Sequence, residues 1–243
     1  MEFHIRCEPK DIARYAFVPG DHARAKKIAD RLEGTRLVSS SRGYMVYTGS
    51  VNGIRMTVSS TGMGGPTVAI CLEELAHLGA DTFIRVGSCG TMQPYVNCGD
   101  VIIATGTFRA GGTGSNYLPI EYPAVSDLGV LMALVSAAKK AGAPYHVGPG
   151  SAGDAFYAPR DPSQRDTLRQ AGLVFGEMES DTLFVVSSLR GWRAGALFAS
   201  DGTWKETKPA WGEELFRQGE ENSIRIAVEA MQAIAVADGA EVK

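Results

Sequence analysis

Phe83-Ile84-Arg85-Val86-Gly87-Ser88-Cys89-Gly90 is the stretch from which the rest of the chain can be read. Residues 81–86 carry the β-branched and aromatic side chains of a strand, which delivers an arginine into a Gly-Ser-Cys-Gly sequence expected to form a tight turn. Arginine offers a planar fork of donors, serine a hydroxyl, and glycine lets a backbone come close to a ligand. Together they make a receptor for a small oxyanion, phosphate above all. Two more arginines have similar surroundings, Arg24 in Pro19-Gly20-Asp21-His22-Ala23-Arg24 and Arg42 in Ser41-Arg42-Gly43-Tyr44. Three arginines beside glycine turns point to free phosphate rather than a nucleotide tail.

Outward from that strand, helices and strands alternate. Residues 15–18 predict a buried strand stopped by Pro19-Gly20, with Asp21 capping a helix to about residue 32. Asn52-Gly53 joins strands 44–51 and 54–60 as a hairpin. Gly62-Met63-Gly64-Gly65 opens a helix with Pro66 in its first position, Gly79 past its end, and a stripe of Val68, Cys71, Leu72, Leu75 and Leu78. Residues 101–105 predict a central strand and 106–123 a long loop near a site. Helices are expected at 126–141, 162–171, 179–189 and 212–236, with strands at 145–147 and 194–199. This alternation favours an α/β sandwich with a mixed sheet.

Composition bounds the function. The chain has 243 residues, 44% hydrophobic and 21% charged, with no linker or repeat, which suits one α/β domain spanning 1–243. A net charge of -3 with mixed signs argues against a nucleic-acid partner, yet allows an anion held by a few arginines. Cys7, Cys71, Cys89 and Cys98 show no C-x-x-C spacing, so neither zinc nor a disulfide framework is expected, and reduced thiols suit a cytoplasmic protein. No signal peptide and no membrane-spanning run is expected.

Other phrases weigh less. Gly148-Pro149-Gly150-Ser151-Ala152-Gly153 fits G-x-G-x-x-G, but Pro159 and Pro162 come where a long helix should hold a pyrophosphate. The stretch is expected to be a loop whose Phe156 can stack on a base. The four histidines fall in no triad phrase. Glu177-Met178-Glu179 precedes an apolar helix. Its acids can complement the helix dipole or grip paired sugar hydroxyls, with methionine as a soft wall. Ser200-Asp201-Gly202 closes a buried strand, at the end where α/β proteins place ligands, although a cap or turn aspartate has the same look.

Taken in order, Pro19-Gly20-Asp21, Arg42-Gly43 with Tyr47-Thr48-Gly49, Gly62-Met63-Gly64, Arg85 to Gly90, Asp154-Ala155-Phe156-Tyr157, Glu177-Met178-Glu179 and Ser200-Asp201-Gly202 resemble the nucleoside phosphorylase superfamily. The likeness is to the hexameric type that includes bacterial purine nucleoside and uridine phosphorylases, and it covers nearly the whole chain. It implies a three-layer α/β/α sandwich with a mixed, partly barrel-like sheet. It implies phosphate bound by Gly20, Arg24, Arg85 and Ser88, with Arg42 supplied by a neighbouring subunit. Met178 and Glu179 would hold the ribose, and the partner's counterpart of His4 its 5′-hydroxyl. Phe156, Glu177 and Asp201 would face the base. Asp201, Arg85 and Glu179 would carry catalysis, with orthophosphate as co-substrate and no cofactor or metal. Shared sites imply a homodimer, assembled as a trimer of dimers.

The resemblance implies cleavage of a nucleoside by phosphate to a free base and a pentose 1-phosphate, through an oxocarbenium-like sugar. An aspartate at 201, placed to protonate purine N7, leans the expectation toward purines, with a methylthioadenosine phosphorylase a lesser alternative. Uridine phosphorylases carry Gln-x-Arg after the Phe-Tyr phrase; Arg160 and Pro162 stand there instead, with Gln164-Arg165 displaced. Residues 118–125 resemble uridine phosphorylases closely, which keeps uridine as the alternative. No arginine matches the acid's helper after Ser-Asp, and 202–212, with Trp204 and Lys205, is expected to be a flap. Hydrolytic nucleosidases of this fold need no arginine cage. A non-catalytic binder would be expected to lose Glu179, Asp201 or an arginine, and all are present.

Overall fold

The computed structural model describes residues 1–159, 161–206 and 212–242. Local chemistry sets many of its boundaries. A short strand β1 (Tyr15–Phe17) leads to α1 (His22–Ala29), whose N-cap Asp21 accepts from Arg24 N at 2.9 Å. After β2 (Glu33–Ser41), strands β3 (Tyr44–Val51) and β4 (Ile54–Ser59) meet at Asn52 and Gly53. Both turn residues have positive φ, 49° and 82°, as a type I′ hairpin turn requires. Next comes α2 (Gly65–His77), with Gly64 at its N-cap and Pro66 in its first turn.

The chain continues through β5 (Thr82–Thr91), β6 (Val101–Ala110), β7 (Ala124–Val125), α3 (Leu128–Ala141), β8 (Tyr145–Gly153), α4 (Pro162–Gln170), β9 (Phe175–Glu177), α5 (Ser180–Arg190), β10 (Arg193–Ser200) and α6 (Glu213–Ala237). All ten strands join one mixed sheet in the order β10-β6-β8-β9-β5-β1-β4-β3-β2, with β7 added to β6. A further β10–β5 pairing closes β5, β10, β6, β8 and β9 into a ring, so half of the sheet is a barrel and the rest is open. Side chains alternate across it. Phe83, Ile102 and Phe198 pack with Leu72 and Leu75 of α2 and Phe184 of α5. Their neighbours Ile84, Ile103 and Leu197 pack with Ile28 of α1, Leu134 of α3 and Met231 of α6. Helices therefore cover both faces, giving the three expected layers. Among the described residues, no helix is long and apolar enough to cross a membrane.

Two glycine stretches expected to be a turn and a loop are strands instead. Beyond Val86 the chain does not turn: β5 runs on through Gly87-Ser88-Cys89-Gly90 to Thr91, paired with Phe198, Ala199 and Ser200 of β10. Gly87 is needed for packing, since a Cβ there would lie 2.7 Å from Phe198 Cδ1. Likewise Gly148–Gly153 lies inside β8, where Gly148 yields to Val174 and Gly150 to the Phe175 ring. The predicted loop at 106–123 starts later, because β6 extends to Ala110. Arg109 then pins the segment beyond it, donating to Leu118 O and Tyr122 O, each at 2.9 Å, and to Pro119 O.

Candidate active site

The barrel and the open half part company along one edge of β5. Its first half pairs with β1 through Thr82, Phe83 and Ile84; its end pairs with β9 through Gly90 and Thr91. Ser88 pairs with Ala199 of β10 on the other edge, and among the described residues no strand pairs with it on this one. The sheet thus splits around residues 85–89 and leaves backbone polar groups facing a cleft. Such a switch point is where an open α/β sheet receives a ligand.

Arg85 is buried in the cleft wall, 4% exposed. Its Nε donates to Glu177 Oε2 at 3.1 Å and its Nη2 to Glu179 Oε2. Burial works to lower the Arg85 pKa, but the Glu179 and Glu177 charges outweigh it and raise it. Its third nitrogen, Nη1, is also buried and has no hydrogen-bond partner among the described residues. That nitrogen faces Gly20, 3.7 Å from where a Cβ would stand. A buried cationic donor aimed at a glycine backbone fits the predicted anion.

Arg24 reaches the same edge from the other face of the sheet. Its Nη1 lies 3.4 Å from Val86 O, and its Nε donates to Glu220 Oε1 of α6 at 2.7 Å. Ser88, half-buried, shares that face with Val86. Gly20 thus lies against Arg85, while Arg24 reaches the same stretch of β5 at Val86, two residues before Ser88. Arg42 does not join them within the chain: its guanidinium stacks on Phe3, 4.8 Å from the ring centre.

The two acids of Glu177-Met178-Glu179 have different tasks. Glu177 Oε1 accepts from Ser180 N at 2.8 Å and Ser180 Oγ at 2.7 Å, while Oε2 takes Arg85 Nε; both oxygens lie 3.0 Å from Glu179 N. This carboxylate caps α5 and aims Arg85, and both of its oxygens accept hydrogen bonds within the chain. Glu179 Oε1 accepts from Gly64 N at 2.6 Å, which ties it to the start of α2. Burial raises the Glu179 pKa, with Arg85 opposing. Met178 is half-buried between them.

Asp201 comes directly after the last residue of β10, and its N donates to Cys89 O at 2.9 Å, placing it beside the end of β5. Its charge helps burial to push the thiols of Cys89 and Cys98 up. Phe156 stands beyond the end of β8, whose Ala152 is paired with Glu177; its ring is 54% exposed and meets Tyr157 edge-on at 5.0 Å. Arg165 Nη2 donates to Trp204 O at 3.3 Å, joining α4 to the residues after Asp201. Arg160, and 207–211 of the expected flap, lie outside the described residues.

His4 is held away from this cleft. Its Nδ1 lies 2.5 Å from Glu74 Oε1, and Glu74 stands ten residues along α2 from Gly64. At ~1.5 Å per residue that is about 15 Å from the amide that Glu179 grips. Phe3 packs edge-on to His4 at 4.8 Å and lies under Arg42. The two residues expected to serve a neighbouring subunit thus sit together on one patch of this chain.

Several polar residues here escape a reading of the sequence: Glu74, Arg109, Asp181 and Glu220. Burial raises the Asp181 pKa to about 6, against hydrogen bonds from Thr182 and Gly111 N. The folded chain thus binds this proton more tightly than the unfolded one, whose value is near 3.8. The resulting stabilisation is complete below about pH 4 and lost as pH rises toward 6, on the order of 3 kcal/mol. Asp181→Asn cannot titrate. Its stability relative to wild type is expected to improve across that window; denaturant titrations showing a flat difference would contradict this.

Comparison with known proteins agrees with the fold. A uridine phosphorylase of Thermococcus kodakarensis is 41% identical over 97% of this chain and 87% of its own length. One from Treponema pallidum is 40% identical over 98% and 95% of the two chains. A guanosine phosphorylase of Halorubrum lacusprofundi is 36% identical over 95% and 98%. The crystal structure of uridine phosphorylase from Vibrio fischeri superposes with a TM-score of 0.90 at 27% identity, covering 95% of this chain and 96% of that one. Fold and relatives together define an enzyme of the nucleoside phosphorylase class. The chain belongs to the phosphorylase superfamily, whose family model matches residues 14–237.

Proposed function

We propose that the protein cleaves uridine with orthophosphate, releasing uracil and ribose 1-phosphate. The observation that carries phosphorolysis is the buried Arg85 Nη1 aimed at Gly20, with Arg24 and Ser88 at the same strand edge. Phosphate there would sit beneath C1′. Its oxygen forms the new bond to C1′ while the glycosidic electron pair leaves with the base, which takes up a proton. Positive charge grows on the sugar, so the phosphate and the Glu179 carboxylate both stabilise the transition state. The purine preference expected from Asp201 gives way to uridine because relatives with that name match at 41% and 40% identity.

A second reading, guanosine or another purine, is favoured by Asp201 at the end of β10 and by the guanosine phosphorylase relative. Base release from uridine, guanosine, inosine, adenosine and methylthioadenosine, measured with and without phosphate, separates the two. Cleavage that ignores phosphate would remove the phosphorylase reading. Asp201→Asn is expected to slow a purine by ~10²-fold and uridine far less, because uracil has no N7 to protonate. Gly20→Ala is expected to raise the KM for phosphate by roughly tenfold and leave the nucleoside KM nearly unchanged. The added methyl crowds Gly62 O at 3.0 Å and Arg85 Nη1.

The patch of Phe3, His4 and Arg42 supports a homodimer in which each chain completes its partner's cleft, with three such dimers forming a hexamer. Native mass measurement of the active species tests this, since a fully active monomer would exclude it. Four buried, free cysteines support a reducing, cytoplasmic setting.

A further inference from the structure

We propose that Glu74 is a positioning residue for the neighbouring subunit's active site, aiming His4 Nε2 at the 5′-hydroxyl of the nucleoside bound there. The proposal rests on the shared-site reading of His4. Glu74 lies in the second half of α2, 7% exposed, among Cys71, Leu72 and Leu75. A carboxylate buried on an apolar helix face needs donors, and among the described residues those it has come from the N-terminal segment. His4 N lies 3.0 Å from both of its oxygens, Ile5 N lies 2.8 Å from Oε2, and His4 Nδ1 lies 2.5 Å from Oε1. Burial works against the Glu74 charge, but these hydrogen bonds outweigh it and lower the pKa.

An ionised carboxylate only accepts hydrogen bonds, so His4 Nδ1 must carry the proton. Nε2 is then the atom left to meet a ligand. In the neutral ring it accepts a hydroxyl proton, and in the charged ring it donates to a hydroxyl oxygen. The imidazole also has somewhere to point, its side chain being 32% exposed.

The clamp organises more than the histidine. Phe3, next in the chain, carries Arg42 at 4.8 Å and Arg6 at 5.8 Å over its ring. Arg6 and Arg42 both hold left-handed backbone, with φ of 53° and 49°, a conformation that non-glycine residues keep only where surrounding contacts enforce it. One helix carboxylate therefore anchors the strap that carries His4 and, through Phe3, packs against Arg42 in the turn between β2 and β3. A purely structural anchor would leave the preference for a 5′-hydroxyl untouched; a positioning residue would not.

The test compares wild type, His4→Ala, Glu74→Gln and the double variant as assembled oligomers, at saturating phosphate. Substrates are uridine or guanosine, whichever the protein cleaves, and its 5′-deoxy derivative. Each single variant is expected to lower kcat/KM for the hydroxylated substrate roughly tenfold, the worth of one charge-assisted hydrogen bond. The 5′-deoxy substrate should stay within about twofold, and the double variant should match His4→Ala, as for residues acting through one contact. Glu74→Gln lowering both substrates equally, or neither, while His4→Ala shows the selective loss, would overturn the Glu74 role alone. An unselective His4→Ala would instead overturn the shared-site reading beneath it. Glu74→Asp, which draws the carboxylate back by one methylene, serves where the glutamine variant does not assemble. It should show a smaller selective loss, and an unchanged preference would likewise overturn the proposal.

Discussion

Arg85→Met is expected to lower kcat/KM for phosphorolysis by about 10³-fold and to destabilise the protein as well. Both effects come from one geometry. Nε and Nη2 serve Glu177 and Glu179, while Nη1 faces Gly20. Methionine fills the space but leaves two buried carboxylates without their counter-charge, a defect worth about 3–5 kcal/mol. Activity loss alone would therefore be ambiguous. Arg85→Lys separates the terms: one ammonium keeps the charge, so most of the stability should return, but it cannot reproduce three donors in a plane. The expected result is a near-native melting temperature with phosphate KM sharply raised. A lysine variant with wild-type phosphate KM would show that the cleft does not bind its anion through Arg85.

Glu179→Gln is expected to reduce kcat by about 10²-fold with a smaller change in the nucleoside KM, because its charge matters most once the sugar becomes cationic. The amide keeps the shape and can still accept from Gly64 N. The pH profile gives a second readout. Burial raises the Glu179 pKa, so the folded enzyme protonates this carboxylate at a higher pH than a free glutamate would. Activity should fall on acidification through a limb lying above the ordinary value of 4.5, and the glutamine variant should lack that limb. An acid limb unchanged in the variant would assign it to another group.

Much of the fold is legible in the chain because local chemistry acts alone there. Asn52-Gly53 forces a hairpin, Asp21 caps a helix, and Gly64 and Pro66 start one wherever they occur. The glycines at 87, 148 and 150 mislead for the opposite reason. A glycine that yields to Phe198, Val174 or Phe175 cannot be told from a turn glycine until those partners are in place. Similarly, two acids spaced by one methionine look alike in sequence. The start of α5 decides that Glu177 turns to the helix cap and Glu179 toward Gly64. Glu220 pairs with Arg24 across 196 positions, and Glu74 with His4 across 70. Glu74 does leave one signal, a charge three residues after Cys71 and one before Leu75 on the stripe that builds the core. Arg42 and His4 stand far apart in sequence, and the patch they share around Phe3 emerges only in three dimensions.

The fork in β5 has a consequence for how the molecule assembles. Its two lips come from β1, near residue 15, and β9, near residue 175, so the cleft exists only after distant parts of the chain have met. Under the proposed function, neither half would hold the phosphate by itself. Occupancy thus reports on completion of the whole architecture, and phosphate should delay thermal unfolding of the entire molecule by mass action. Limited proteolysis with and without phosphate would reveal that protection at cut sites far from the cleft.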